Sequence, residues 1–180
     1  MRIAVSGPPG SGKTTLARKL AENLKYRYVC GGEIFRREAA KLNMTLEEFS
    51  KYVEDHPEVD IKLDNYLAEE AKNLRVVVDS RLSGWLMKKH GIKGFKIYVD
   101  ASPEERARRI QKRDGGRIED IMRKMLEREE SEVKRYQMLY GADYRKREIY
   151  DLVLDTDDMS EEEVFSKALE EYEKWLKIFW

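Results

Sequence analysis

The sequence is poor in cysteine and histidine and has no long apolar run. Because Cys30 is the only cysteine and there are 2 histidines, an internal disulfide and a cysteine–histidine metal cluster are both excluded. We interpret Cys30 as a small residue that ends a strand. No stretch reaches about 18 apolar residues, the length of a membrane span, and the chain begins with a strand pattern rather than a signal peptide. We therefore expect a cytoplasmic protein with no membrane partner.

An excess of charge of either sign is also missing. The 35 Lys and Arg residues balance 35 Asp and Glu residues, so no net field attracts nucleic acid or an anionic membrane. The sequence also has no evident basic stripe or aromatic platform for a nucleic-acid strand. Binding must then depend on local sites, and we expect a monomer that binds small molecules but no nucleic acid.

A phosphate-binding loop is the strongest signal in the chain. In RIAVSGPPGSGKTT at 2–15, a short apolar run precedes Gly7, four residues, and then Gly12, Lys13 and Thr14, which is the pattern G-x-x-x-x-G-K-[ST]. A predicted strand before the loop and a predicted helix after it favour anion binding over a simple Gly/Pro turn. The residues expected to bind the nucleotide are Gly7, Pro8, Pro9, Gly10, Ser11, Gly12, Lys13, Thr14 and Thr15.

Each residue type in this loop has a mechanical reason to be there. Glycines let the backbone approach phosphate closely, and prolines stiffen the entry to the loop. Lys13 would contact the β- and γ-phosphates, while the Thr14 hydroxyl would bind a Mg²⁺ ion that bridges them. Thr15 would contact the α-phosphate. The loop predicts a nucleoside triphosphate site and leaves the phosphoryl acceptor open.

The hydrophobic pattern predicts one α/β domain over residues 1–180. Five short apolar runs are typical of buried parallel strands, at 3–5, 26–30, 75–79, 95–100 and 150–155. Helical patterns separate them, with capping boxes at Thr45 and Glu48, Ser102 and Glu105, and Ser160 and Glu163. Right-handed crossovers would join these strands into a doubly wound parallel sheet with helices on both faces.

Two segments interrupt this regular alternation. From about 31 to 74 the pattern is helical without a strand, which predicts a flap over the site. A lid segment is predicted at about 112–120, because Gly115 and Gly116 stand before a long helix at 118–140 and would act as a hinge. Glu129 falls within an apolar stripe of that helix, so it either faces the site or marks a bend.

An acid at the end of a strand is the expected partner of the metal. Asp79 closes the apolar run 76–78 and would help to hold Mg²⁺. Asp100 and Asp155 close similar runs and are rivals, since each could merely cap a turn. We favour Asp79 because Arg81 follows two residues later and would share its loop with the transferred phosphate.

Arginines recur where an acceptor would bind. Arg128, Glu132 and Arg135 share one flank of the long helix, and Arg36 lies just inside the second helix. A charged flank of this kind is often a set of solvated ion pairs. Phosphoryl transfer, however, requires several forked cations around the phosphates, a geometry that suits arginine.

These residues together resemble the nucleoside monophosphate kinase family, most closely its archaeal cytidylate kinase branch. Six segments carry the resemblance: GPPGSGKTT at 7–15, GGEIFR at 31–36, LEEFSKYVEDHPEVD at 46–60, DSRLSGW at 79–85, EREESEVKRY at 127–136 and YDLVLDT at 150–156. The resemblance implies strand order 2-3-1-4-5, a helical acceptor-binding flap and a lid that closes over ATP. It also implies ATP- and Mg²⁺-dependent phosphorylation of CMP and dCMP.

Residue roles follow from the same resemblance. It implies that Arg36, Arg81, Arg128 and Arg135 grip the acceptor phosphate and the transferring group, with Glu132 near the acceptor sugar. Lys13 would act with Arg81, Arg128 and Arg135 in catalysis. The bacterial cytidylate kinases have Arg-Asp where this chain has Arg81-Leu82, and an arginine near the position of Asp60.

We therefore hypothesise that the base-recognising acid has moved to Asp60, which would accept a hydrogen bond from the exocyclic amine of cytosine. The other interpretation of Asp60 is a surface acid on a helix. The alternative functions are an adenylate or small-metabolite kinase on the same core, and, in a different class, a P-loop ATPase that acts as a switch or nucleic-acid accessory factor.

Overall fold

The computed structural model describes residues 1–179. In chain order its elements are β1 (Arg2–Ser6), α1 (Lys13–Leu24), β2 (Arg27–Cys30), α2 (Gly31–Lys41), α3 (Leu46–Asp55), α4 (Pro57–Lys72), β3 (Val76–Asp79), α5 (Ser83–Lys89), β4 (Phe95–Asp100), α6 (Pro103–Asp114), α7 (Ile118–Tyr140), a 3-10 turn (Arg147–Ile149), β5 (Leu152–Asp155) and α8 (Glu161–Phe179). Over the described part of the chain, no helix combines the length and apolar character that a membrane crossing requires.

The five strands form one parallel sheet in the order β2-β3-β1-β4-β5. Val5 of β1 is in register with Asp79 of β3 and with Ile97 of β4, so the carboxyl ends of the central strands meet at one edge. In an open α/β sheet this edge forms a crevice where the strand order reverses. The predicted strand order and the doubly wound parallel sheet are both confirmed.

Helices cover both faces of the sheet. Strand residues alternate between the faces: Ile3 and Val5 pack with α1 and α8, whereas Ala4 and Val78 pack with α4, α5 and α7. Since neither face meets water, the strands are apolar at almost every position. The rigid sheet therefore fixes the loops that follow β1, β2 and β3.

Side-chain caps begin three of the helices. The Thr45 and Ser160 capping boxes form as predicted, each with a reciprocal bond from the backbone N–H of the cap residue to a glutamate. At α6 the Ser102 hydroxyl accepts from the backbone N–H of Glu105. The predicted second bond of this capping box, from the Ser102 backbone N–H to the Glu105 carboxylate, is wrong. Asp157 accepts from the Ser102 backbone N–H at 2.7 Å. The Glu105 carboxylate turns instead to two arginines of its own helix.

Two local features differ from what the sequence pattern favours. The pair Gly31-Gly32 favours a turn, but both glycines are helical because α2 begins directly after β2. A Cβ at Gly31 would lie 2.9 Å from Leu67 Cδ1, so glycine allows α2 to approach α4. Helix α5 has no side-chain cap and was not predicted. Within it, a Cβ at Gly84 would lie 2.4 Å from the Tyr150 ring.

Candidate active site

A cavity of about 700 Å³ lies where the strand ends meet the helical segments. Pro9, Gly10, Lys13 and Thr14 of the predicted phosphate loop line one part of it. The remaining walls come from α1, α2, α3, α4, α6, α7, the ends of β2 and β3, and the loop after β3. Among the lining groups are these predicted site residues: Arg36, Asp79, Arg81, Arg128, Glu132 and Arg135.

The phosphate loop is held in a shape that only glycine permits. Gly7 and Gly10 have φ of 151° and 79°, and a Cβ on them would approach the carbonyl oxygens of Val99 and Arg106 to 2.1 and 2.7 Å. Gly12 then opens α1 without any side-chain cap, so the first N–H groups of the helix have no intrahelical acceptor. This end of α1 can hold an anion.

Arg106 fastens the loop to the long helix. Its guanidinium donates to the carbonyl oxygen of Pro9 at 3.2 Å and to Glu129 Oε2 at 2.8 Å. Both side chains of this ion pair are buried or nearly so. Glu129 therefore lies within the apolar stripe of α7 because it pairs with Arg106 behind the phosphate loop.

Lys13 extends into the cavity beside Arg81 and Asp79. Burial, and then the charge of Arg81, lower the pKa of Lys13 to about 7, although Asp79 and Glu132 oppose this shift. An anion bound in the loop would favour the charged ammonium and raise the pKa again. The site therefore favours a ligand that brings negative charge to Lys13.

Asp79 is arranged as an acceptor with one free oxygen. Its Oδ2 accepts from Thr14 Oγ1 at 2.7 Å, from the Tyr28 hydroxyl at 3.0 Å and from the Cys30 thiol at 3.3 Å. Its Oδ1 is buried without a partner among the described residues. An orphaned carboxylate oxygen beside a threonine hydroxyl fits a hard cation such as Mg²⁺ or one of its water ligands.

The rival strand-end acids have other partners. Asp100 and Asp155 both contact Arg147 on the far side of β4, with Arg147 Nη2 2.8 Å from Asp100 Oδ2. Neither lines the cavity. The choice of Asp79 over these two acids thus agrees with the placement of all three side chains.

Glu132 holds two arginines in the cavity wall. Arg81 Nε donates to Glu132 Oε2 at 2.7 Å, and Arg128 Nε lies 3.0 Å from Oε1 as an ion pair whose N–H is not aligned for a hydrogen bond. Burial alone would raise the pKa of Glu132, but Arg81 and Arg128 outweigh it and hold the pKa at about 2. The carboxylate is therefore ionised at neutral pH.

Arg135 is fixed by the flap rather than by Glu132. Its Nε donates to Asp60 Oδ2 at 2.7 Å, and its Nη1 donates to Ser131 Oγ at 2.7 Å. Asp60 is 2% exposed, so it is not a surface acid. Its side chain is also absent from the cavity wall, because it is turned toward Arg135. Asp60 therefore lies behind Arg135, which itself lines the cavity.

Seven further charged residues line the cavity and were not predicted: Arg18, Glu33, Glu47, Asp64, Arg113, Asp114 and Lys124. Arg113 and Lys124 stand on either side of Gly115 and Gly116, so basic residues flanking the hinge were a usable signal. Asp64 follows Asp60 by one helical turn and shares its face of α4. Arg36, by contrast, was predicted, and it forms no ion pair within residues 1–179.

The fold and the loop define a P-loop kinase architecture. The shikimate kinase from Bacteroides thetaiotaomicron superposes with a TM-score of 0.60 at 16% identity, covering 98% of both chains. A gluconokinase from Sinorhizobium meliloti gives a TM-score of 0.64 at 17% identity and covers 97% of this chain and 92% of that one. At such identities the likeness concerns the fold alone.

Sequence comparison identifies the family. Residues 2–158 match the cytidylate kinase-like family, and the chain belongs to it, as the six segments implied. The cytidylate kinase of Thermococcus kodakarensis is 44% identical over 164 residues, which is 91% of this chain and 83% of that protein. The cytidylate kinase of Methanocaldococcus jannaschii is 44% identical over 167 residues, or 92% and 94% of the two chains.

Proposed function

We propose that this protein transfers the γ-phosphoryl group of ATP to CMP and dCMP and so forms the diphosphates. Relatives at 44% identity carry the name cytidylate kinase over most of both chains. The observation that supports the reaction in this chain is one cavity that joins a phosphate loop to Arg36, Arg81, Arg128 and Arg135. Each group involved belongs to one chain, so we propose the monomer as the active unit.

Transfer is in line and direct. An oxygen of the acceptor phosphate attacks the γ-phosphorus while the bond to the β–γ bridging oxygen breaks, and ADP leaves with that electron pair. The protein contributes positioning and charge rather than covalent chemistry. We assign Lys13 to the β- and γ-phosphates, and Arg81 and Arg128 to the charge that spreads over the transferring group. Arg36 and Arg135 hold the acceptor phosphate.

Glu132 and Asp60 serve as holders of these cations. Glu132 spaces Arg81 and Arg128 before substrate arrives, so less reorganisation is needed during the reaction. Glu132 also lines the cavity, where we place the acceptor sugar. Asp60 orients Arg135 from the flap and so couples substrate binding to the position of α4.

Thr14 and Asp79 would hold Mg²⁺. The ion supplies charge neutralisation across the β- and γ-phosphates when it is bound. Thr14 can offer an oxygen lone pair to a cation and still donate its proton to Asp79 Oδ2. Tyr28 and Cys30 keep the Asp79 carboxylate in one orientation.

We propose that two segments exclude water during transfer. The helices α2 to α4, within about 31–74, form the acceptor-binding flap, and the segment at about 112–120 forms the lid. Gly115 and Gly116 have φ of 74° and 100°, and both separate α6 from α7 as a hinge requires. Arg113 and Lys124 would move toward ATP as the lid closes.

An acceptor panel tests the proposed reaction. With ATP and Mg²⁺, we expect CMP and dCMP to be phosphorylated with kcat/KM at least about tenfold above UMP, AMP, GMP and shikimate, since one lost polar match costs about that much. Coupled detection of ADP, with chromatography of the product, measures this. Preference for AMP or shikimate would favour another kinase, and ATP hydrolysis without acceptor, stimulated by RNA or DNA, would favour a P-loop ATPase.

Replacing Asp79 by asparagine tests the metal assignment. The amide can still accept from Tyr28 and Thr14, but its NH₂ group would take the place of the free oxygen and repel a cation. In the unchanged protein we expect Mg²⁺ to increase the affinity for ATP. In Asp79→Asn this increase should be at least about tenfold smaller, while the affinity for ATP in EDTA stays the same. Calorimetric titration gives both values. The matched Asp100→Asn variant should keep the enhancement, and equal behaviour of the two variants would contradict the assignment.

A further inference from the structure

Asp64 is a buried acid on the cavity wall without a counter-ion. It is 6% exposed, and the Tyr140 hydroxyl donates to its Oδ2 at 2.9 Å. No described residue donates a hydrogen bond to its Oδ1 or forms an ion pair with it. An ionisable group in such a position is costly unless something pairs with it.

The nearby cations are already engaged elsewhere. Arg135 donates to Asp60, and the Lys89 ammonium lies 4.6 Å from the centre of the Tyr140 ring and 5.0 Å from that of Trp85. Neither Arg135 nor Lys89 therefore serves as the counter-ion of Asp64. Asp64 lines the cavity, and its Oδ2 already accepts from Tyr140, so a ligand in the cavity is the partner available to Oδ1.

The surroundings of Asp64 fit a base better than a phosphate. Leu63 and Leu67 flank it on α4, and Phe35 and Tyr136 line the same cavity. Apolar and aromatic walls with one polar group are typical of pockets for planar heterocycles. A second anion beside a carboxylate would be repelled, whereas an N–H donor would be attracted.

We infer that Asp64 selects the base of the acceptor, with Oδ1 accepting a hydrogen bond from the exocyclic amine of cytosine. This inference rests on the proposed CMP kinase activity. Uracil carries a carbonyl oxygen at the same ring position, so Asp64 Oδ1 and uracil O4 would both be acceptors and would repel each other. Asp60, the acid that the sequence favoured for this role, acts instead on the phosphate side through Arg135.

The protonation state of Asp64 gives the selection a pH dependence. Burial, and then the charge of Asp60 on the same helix, raise the pKa of Asp64 to about 7, while Tyr140 and Arg135 of α7 and Lys89 of α5 oppose the rise. The neighbouring Tyr136 hydroxyl is neutral, since burial raises its pKa. Only the ionised acid distinguishes an amine from a carbonyl, because the O–H of the neutral acid can donate to cytosine N3 or to uracil O4.

The test compares Asp64→Asn with Asp60→Asn in the full chain. After thermal denaturation shows that both variants fold, kcat/KM is measured for CMP and UMP from pH 6 to 8. We expect Asp64→Asn to lower the CMP-to-UMP ratio at least about tenfold and to remove its pH dependence. In the unchanged protein the ratio should rise roughly fivefold to tenfold over this range as Asp64 ionises. Asp60→Asn should raise KM for both nucleotides and leave the ratio at pH 8 unchanged, while the midpoint of the ratio moves to lower pH because the charge of Asp60 no longer raises the pKa of Asp64.

Tyr140→Phe provides a second, milder variant. Loss of the hydroxyl removes a donor that stabilises the ionised acid, so the midpoint of the ratio should move to higher pH. An unchanged ratio in Asp64→Asn, or a loss of ratio confined to Asp60→Asn, would overturn the inference while leaving CMP phosphorylation intact. Absence of CMP phosphorylation by the unchanged protein would instead refute the proposed function.

Discussion

Replacement of Lys13 by alanine should lower kcat for CMP phosphorylation roughly a thousandfold, the scale of losing one preorganised charge at the transferring group. Lys13 stands beside Arg81 and Asp79 in the cavity. Its ammonium would follow negative charge from the β–γ bridge to the leaving ADP. Water in its place would stabilise the transition state less, because water molecules must reorient as the charge moves, whereas the ammonium is already in position.

The same substitution should leave the fold intact. The pKa of Lys13 is lowered from 10.5 to about 7, so its charged form is less favourable in the folded protein than in the unfolded chain. The unfolded chain therefore binds more protons between these values, and the charge opposes folding at pH 7. Removing it costs no stabilising ion pair, and the melting temperature should be equal or higher.

Steady-state kinetics and thermal denaturation check both expectations. Lys19→Ala is the matched control, because Lys19 lies on the same helix and pairs with Glu162 at the surface. This control should keep kcat within about twofold, as surface substitutions usually do. Turnover of Lys13→Ala near that of the control would show that Lys13 has no catalytic role.

Local signals explain why much of the fold could be predicted. The phosphate loop, its strand and its helix are adjacent in sequence, so the pattern within residues 2–24 is enough to predict all three, although Arg106 also holds the loop in the folded chain. The caps at Thr45 and Ser160 likewise join residues three positions apart. Continuous apolar runs marked the strands because both faces of a parallel sheet are covered.

Long-range pairing explains what the sequence did not reveal. Whether Asp60 faces the base or Arg135 depends on a contact between residues 75 positions apart, which no local pattern encodes. Asp64 resembles any helical acid in sequence, and only tertiary packing shows that it is buried on a cavity. Helix α5 escaped prediction because Leu82 offers no capping side chain. The Ser102 box failed because the distant Asp157 competed for the Ser102 N–H.

Replacement of Glu132 by glutamine should destabilise the protein by about 3–5 kcal/mol at pH 7, the usual cost of breaking a buried ion pair from one side. Glu132 is 3% exposed, and Arg81 and Arg128 both depend on it for negative charge. The pKa shift agrees in size, because lowering a carboxyl pKa from 4.5 to about 2 corresponds to about 3 kcal/mol.

The pH dependence separates this charge effect from a packing effect. A carboxyl whose folded pKa is depressed stabilises the fold fully above its unfolded pKa, and that contribution is lost as the pH falls toward the folded value. The stability difference between the unchanged protein and Glu132→Gln should therefore persist from pH 7 to 5 and narrow between about pH 4.5 and 2. Denaturant unfolding at fixed pH values measures it.

Glu130→Gln is the matched control, since Glu130 is an exposed residue on the same helix and should change stability by less than about 0.5 kcal/mol. CMP supplies a further distinction. In Glu132→Gln the guanidinium groups of Arg81 and Arg128 lack their carboxylate, so the phosphate of a bound nucleotide should raise the melting temperature more than in the unchanged protein. An equal stability loss in both variants, or a loss independent of pH, would show that Glu132 serves packing rather than the charge of the site.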